Sequence, residues 1–248
     1  MDAKFVKFKE CEFACKNEPS AKFNELKCEQ SERLHMQTNC ECSLTSQLIM
    51  DGLDVMVENP VCELKHQTPF ELLVAVILSA QCTDKRVNQV TQELFKTHNK
   101  PEDFVNMTQE ELEQAIHSCG FYHNKAKAIK NASKDIIEKF NGKVPNDFDQ
   151  LQTLAGVGRK TANVVMSVAF GGDNFAVDTH VLRVSNRLGL VKTDDPTKCE
   201  MALCKFFPKN KWSRLHYQMV LFGRYTCKAM KPDCERCVFN RQCPSSRV

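Results

Sequence analysis

The sequence predicts an all-α fold. Apolar residues recur in blocks at helical spacing from about Gln47 onward, Gly, Pro and Asn separate the blocks, and no segment alternates apolar and polar residues as a half-buried strand would. With 42% hydrophobic and 26% charged residues over 248 positions, the chain can bury a core of one domain or two small ones.

Residues 1–47 differ from the rest. They are rich in Lys, Glu, Asn and Gln and lack apolar periodicity, so they read as a weakly ordered extension. Their five cysteines, Cys11, Cys15, Cys28, Cys40 and Cys42, have irregular gaps that match no usual ligand spacing, although a small metal-binding appendage is the alternative. The start has no apolar core of signal-peptide length. The longest apolar run, Leu72 to Leu78, is far short of the roughly 20 residues of a membrane span, and a soluble intracellular protein is expected.

Pro69 opens the first strong helix, which runs apolar to Ala80 and predicts a buried element. Further helices are predicted at Asp84 to Phe95, Thr108 to His117, Lys125 to Phe140, Arg159 to Phe170, Thr179 to Leu188 and Trp212 to Arg224. His66, His98 and His123 show no ligand spacing with a carboxylate or cysteine and read as surface residues.

Between two helical patterns lies Leu151-Gln-Thr-Leu-Ala-Gly-Val-Gly-Arg-Lys-Thr-Ala162. Gly156 and Gly158 allow a tight turn and close approach, and the amides at the start of the next helix favour an anion such as a DNA phosphate. A plain αα-hairpin is the competing reading. Lys160 stands in the first helical turn, where the positive end of the dipole opposes an ammonium and so favours the free amine that a nucleophile requires. A solvated or phosphate-binding lysine is the alternative. Asp178, in Val177-Asp-Thr-His-Val181, sits where an N-cap belongs, and a capping carboxylate that stays ionised can also act on a reacting sugar.

These two motifs, at this distance, resemble the endonuclease III family of helix-hairpin-helix DNA glycosylases. The resemblance implies a bifunctional N-glycosylase and AP lyase that excises oxidised pyrimidines from double-stranded DNA in base excision repair. In that family the lysine matching Lys160 attacks C1′ and forms a Schiff base, β-elimination cuts the strand, and the aspartate matching Asp178 serves the glycosylase step.

Fourteen cysteines without an export signal argue against a disulfide scaffold. Cys227, Cys234, Cys237 and Cys243, separated by six, two and five residues, can wrap one metal centre. Four cysteines suit zinc and a 4Fe-4S cluster equally. The family resemblance, which includes these gaps and the preceding Gly-Arg-Tyr-Thr, implies the 4Fe-4S cluster. Lys228 and Lys231 would then face DNA phosphates from the cluster loop, weakened by Asp233.

Excision requires the base to leave the stack, and something must fill the space. Gln81, in Leu78-Ser-Ala-Gln-Cys-Thr-Asp, and Phe121, in Cys119-Gly-Phe-Tyr, match the family's inserting positions; for Phe121 a core role is the alternative. With Gly156, Gly158, Arg159, Lys228 and Lys231 they form the expected DNA contact set. The net charge of only +3 places any such grip on a local face.

The resemblance covers residues 48 to 243 and implies two helical lobes, a barrel-like one at 62–172 and a cluster domain from 48–61 with 173–243. It further implies a monomer located in the cytoplasm with the nucleoid in a prokaryote, or in the nucleus or mitochondrion in a eukaryote. Superfamily members acting on adenine or thymine mismatches typically lack a lysine at the position of Lys160. A non-catalytic DNA-binding module with structural zinc is the reading from another class.

Overall fold

A computed structural model describes residues 44–248; the expected extension lies outside it as far as residue 43. The described residues form helices, one short 3-10 turn and no strand. Most of the helices start where a capping side chain or a proline prepares them. Helix α1 (Ser46–Met56) is capped by Thr45, whose side chain accepts from Leu48 N.

Helix α2 (Pro69–Ser79) has Pro at its first turn and Thr68 as cap, the hydroxyl accepting from Glu71 N at 3.1 Å. Every residue from Phe70 to Leu78 is buried, which makes α2 the axis of the first core. Around it stand α3 (Asp84–Leu94), α4 (Pro101–Asn106), α5 (Gln109–Ile116), α6 (Tyr122–Phe140), α7 (Phe148–Gln152) and α8 (Arg159–Phe170). A second core gathers α1, α9 (Thr179–Arg187), α10 (Pro196–Phe206), α11 (Trp212–Tyr225) and Phe239 of the C-terminal cysteine segment.

Extended residues 175–177 run between the two cores. Ala176 belongs to the first, while Phe175 and Val177 belong to the second. Across the same boundary, Arg224 of α11 pairs with Glu63 and, at 2.8 Å, with Asp84 in the first turn of α3; Tyr225 Oη donates to Glu63 at 2.8 Å.

The seven strong helices lie where the sequence placed them, within about three residues. Four others, α1, α4, α7 and α10, occupy stretches to which the sequence assigns no separate helix. Helices α4 and α7 have six and five residues, too few for a periodic stripe to emerge. Helix α10 did carry a start signal, since Asp195 caps it and Pro196 occupies its first position.

Candidate active site and nucleic-acid interface

The hairpin is built from α7, the turn 153–158 and α8. Leu151, Leu154 and Val157 anchor it in the first core. Gly156 adopts φ +75°, and a Cβ there would come within 2.8 Å of Ala128 Cβ, so both conformation and space require glycine. Gly158 is different. It is the N-cap of α8 with no side-chain cap, and a Cβ on it would meet nothing within 4 Å. The first amides of α8 are therefore open to an external anion, the arrangement that favours a phosphate.

Arg159 turns from this opening toward the protein. It makes a bidentate pair with Glu200 at 2.6 and 2.9 Å and lies 5.3 Å from the Phe148 ring centroid. Its guanidinium thus joins the hairpin to α10.

Lys160 and Asp178 line one cavity of about 80 Å³, together with Ser79, Val76, His216, Tyr217 and Val220. Asp178 caps α9: its Oδ1 accepts from both His180 N and Val181 N at 2.8 Å. Capping consumes one carboxylate oxygen and leaves Oδ2 available, so the two roles weighed from sequence are compatible in one side chain.

His216 is the site residue that sequence reasoning passed over. It sits on α11, 3% exposed, and its Nδ1–H donates to Ala176 O at 2.7 Å. Burial drives its pKa down to about 4; the carboxylate of Asp178 and the Ala176 carbonyl oppose the fall and the charge of Lys160 adds to it. The ring is neutral near pH 7, and Nε2 is left as an acceptor. A lone histidine in an amphipathic helix carries no spacing signal. Only the meeting of α8, α9 and α11 reveals it.

Next to this cavity opens a larger one of about 810 Å³, lined by Glu63, Lys65, Asp84, Asn88, His180, Arg224 and Tyr225 among others. It lies along the boundary of the two cores. Gln81 and Phe121 both adopt left-handed backbone, with φ +54° and +58°. Their loops adjoin, since a Cβ on Gly120 would lie 3.7 Å from Gln81 O. Phe121 is 64% exposed, which removes the core reading and leaves a bare aromatic beside Gln81. Buried Lys125, in the first turn of α6, joins it to the end of α2 by donating to Leu78 O at 2.8 Å.

The four C-terminal cysteines line one cavity beneath Arg187, which donates to Lys228 O at 2.6 Å, to Ala229 O at 2.8 Å and to Cys227 Sγ at 3.5 Å. Burial pushes the Cys237 thiol up to about 11; the Phe239 backbone opposes this and the thiols of Cys227, Cys243 and Cys234 reinforce it. Such a set ionises together only against a multiply charged metal centre. Among the described residues no three His, Cys, Asp or Glu side chains are spaced to hold a single metal ion. The four cysteines nonetheless share one cavity, and four thiolates suit zinc and a 4Fe-4S cluster alike.

Lys228 and Lys231 are exposed on this loop, and Asp233 lies 4.0 Å from Arg236. Of the three histidines read as surface residues, His123 is exposed and His66 and His98 are half-buried. His123 does have a carboxylate partner, Glu113, at 2.5 Å across ten residues, a pairing that spacing could not show.

A family model for HhH-GPD superfamily base excision DNA repair proteins matches residues 74–209. Endonuclease III of Bacillus subtilis (strain 168) is 52% identical over 189 residues, spanning 76% of this chain and 86% of that protein. Endonuclease III of Escherichia coli (strain K12) is 41% identical over 185 residues, 75% and 88% of the two chains. Among solved structures, a trapped endonuclease III–DNA covalent intermediate in an estranged-adenine complex superposes with a TM-score of 0.79 at 50% identity, covering 82% of this chain and 97% of that one. A thermostable thymine-DNA glycosylase shares the fold at 22% identity with a TM-score of 0.72.

Proposed function

The chain belongs to the endonuclease III family within the HhH-GPD superfamily of base excision DNA repair proteins, and from that premise we propose the chemistry its residues perform. It is a bifunctional DNA N-glycosylase and AP lyase acting on duplex DNA that contains oxidised pyrimidines or abasic sites. The observation that carries this reading is the convergence of Lys160 and Asp178 on one cavity at the foot of the hairpin.

The residue roles follow from their positions. Gly158 and the first amides of α8 grip a backbone phosphate, which brings the strand to Lys160. Lys160 Nζ, as the free amine, attacks C1′; the C1′–N bond to the base breaks and the base leaves with the bonding electrons. Asp178, through its uncapped oxygen, stabilises the positive sugar and takes the proton released by the attacking amine. That proton passes to O4′ as the C1′–O4′ bond breaks and the sugar ring opens, which gives the imine; the imine acidifies C2′–H, and loss of this proton expels the 3′-phosphate by β-elimination. Gln81 and Phe121 fill the space that the extruded nucleotide leaves. Lys228 and Lys231 neutralise phosphates, and Arg159, engaged with Glu200, holds the hairpin that grips the backbone.

We further infer that Cys227, Cys234, Cys237 and Cys243 hold a 4Fe-4S cluster. When bound, the cluster supplies the positive charge that four thiolates require and fixes the loop bearing Lys228 and Lys231. The two cores correspond on this reading to a helical barrel-like domain at 62–172 and a cluster domain formed by 48–61 with 173–243. The enzyme acts as a monomer in whichever compartment holds the DNA, the nucleoid region, nucleus or mitochondrion. No helix among the described residues is long and apolar enough to cross a membrane.

The test is strand cleavage of a duplex carrying one oxidised pyrimidine. Lys160→Ala is expected to abolish cleavage while leaving affinity for the damaged duplex within about threefold, since the grip rests on other groups. Cleavage at a normal rate in this variant would overturn the assignment.

A further inference from the structure

The two DNA-facing loops each carry a cysteine that the reaction does not use. Cys82 directly follows Gln81, and Cys119 stands two residues before Phe121. The thiols lie against one another closely enough to interact, and the loops touch where Gly120 meets Gln81 O. Cys82 opens onto the large cavity between the cores, whereas Cys119 is fully buried. The pair is therefore reachable from solvent through one sulfur only.

Lys125 lies beside both. Its Nζ donates to Leu78 O at 2.8 Å, and its charge and that of Arg86 partly offset the effect of burial on the Cys119 thiol. Burial and the adjoining Cys82 push the Cys119 thiol up to about 11, so Cys119 is the resolving sulfur and the more accessible Cys82 the attacking one.

We propose that Cys82 and Cys119 form an oxidisable dithiol site, which a small disulfide converts into a covalent staple between the Gln81 and Phe121 loops. Cys82 thiolate attacks one sulfur of the small disulfide, giving a mixed disulfide and releasing one small thiol. Cys119 then loses its proton and attacks Cys82 sulfur, which releases the second small thiol. Two protein thiols are oxidised and one disulfide is reduced to two thiols, so atoms and electrons balance. The staple fixes the spacing of two left-handed loop positions, Gln81 and Phe121, that must enter the DNA together.

The functional consequence rests on the reading of Gln81 and Phe121 as inserting residues. The bond itself does not, so the two parts fail separately. The experiment treats the cluster-loaded full-length enzyme with oxidised glutathione, monitors the cluster by its visible absorbance, and maps cross-links by non-reducing peptide mass spectrometry. Incision of an oxidised-pyrimidine duplex is measured before and after dithiothreitol. We expect a Cys82–Cys119 peptide, an intact cluster, and at least a tenfold fall in incision that dithiothreitol reverses. Cys119→Ala, with Cys82→Ala as a second variant, should form no such peptide; Cys119→Ala should match the untreated enzyme in incision. A glutathione adduct on Cys82 without the cross-link, or no reaction, would overturn the dithiol site. A mapped cross-link with unchanged incision would overturn the staple's effect while leaving the function of the enzyme intact.

Discussion

On the proposed mechanism, Asp178 serves folding and chemistry with one side chain. Its Oδ1 satisfies two backbone N–H groups at the start of α9, and Oδ2 remains for the reaction. Asparagine caps helices as well as aspartate does but carries no charge. Asp178→Asn should therefore cost less than about 1 kcal/mol of stability while slowing base excision by about 100-fold or more. Urea denaturation and single-turnover excision measure the two effects; normal excision would leave Asp178 a cap only. His216 yields a prediction in pH. Its pKa falls from an ordinary 6.5 to about 4 on folding. Between those values the unfolded chain binds more protons, so this component of stability is complete above pH 6.5 and is lost as pH falls toward 4, by about 3 kcal/mol in all. His216→Gln should flatten the wild-type decline in urea midpoint over that range. Parallel profiles would show that His216 does not carry it.

At the scale of elements, the two hairpin glycines serve different ends. Gly156→Ala meets both a left-handed backbone and Ala128, and should destabilise the protein by about 1–3 kcal/mol. Gly158→Ala meets open space, so the melting temperature should stay near wild type while duplex affinity drops, because the methyl group stands where the phosphate approaches. Equal melting temperatures for the two variants would contradict this division. Helix α1 meets the cysteine segment at another glycine: a Cβ on Gly52 would lie 2.2 Å from the Phe239 ring. The sequence made the hairpin, Lys160, Asp178 and the four cysteines legible because each depends on glycines, caps or ligand gaps a few residues apart. It did not reveal the five- and six-residue helices, whose stability comes from packing, nor the Arg224, Glu63 and Asp84 network, whose members lie up to 161 residues apart. Arg159 shows the remaining difficulty, since its sequence position suggests phosphate and its guanidinium is paired with Glu200.

The molecule as a whole binds DNA without a strong global field. With a net charge of +3, the proposed grip falls to local groups, chiefly Lys228, Lys231 and the amides of α8. Replacing Lys228 or Lys231 with Ala should reduce the salt dependence of duplex binding by about one unit of log–log slope for each phosphate no longer neutralised. An unchanged slope would place those lysines off the DNA. The two cores meet along the boundary where Lys160, Asp178 and His216 come together, so the fold delivers an amine, a carboxylate and a neutral imidazole to one cavity from three helices.

The central claim is that this amine becomes covalently attached to the sugar. Borohydride reduction during reaction with a duplex bearing one oxidised pyrimidine tests it most directly, because it converts a transient imine into a stable amine. The wild-type protein should form a protein–DNA adduct that maps to Lys160, and Lys160→Ala should form none. A cluster-loaded, DNA-binding preparation that yields no adduct, or an adduct that persists in Lys160→Ala, would contradict the account.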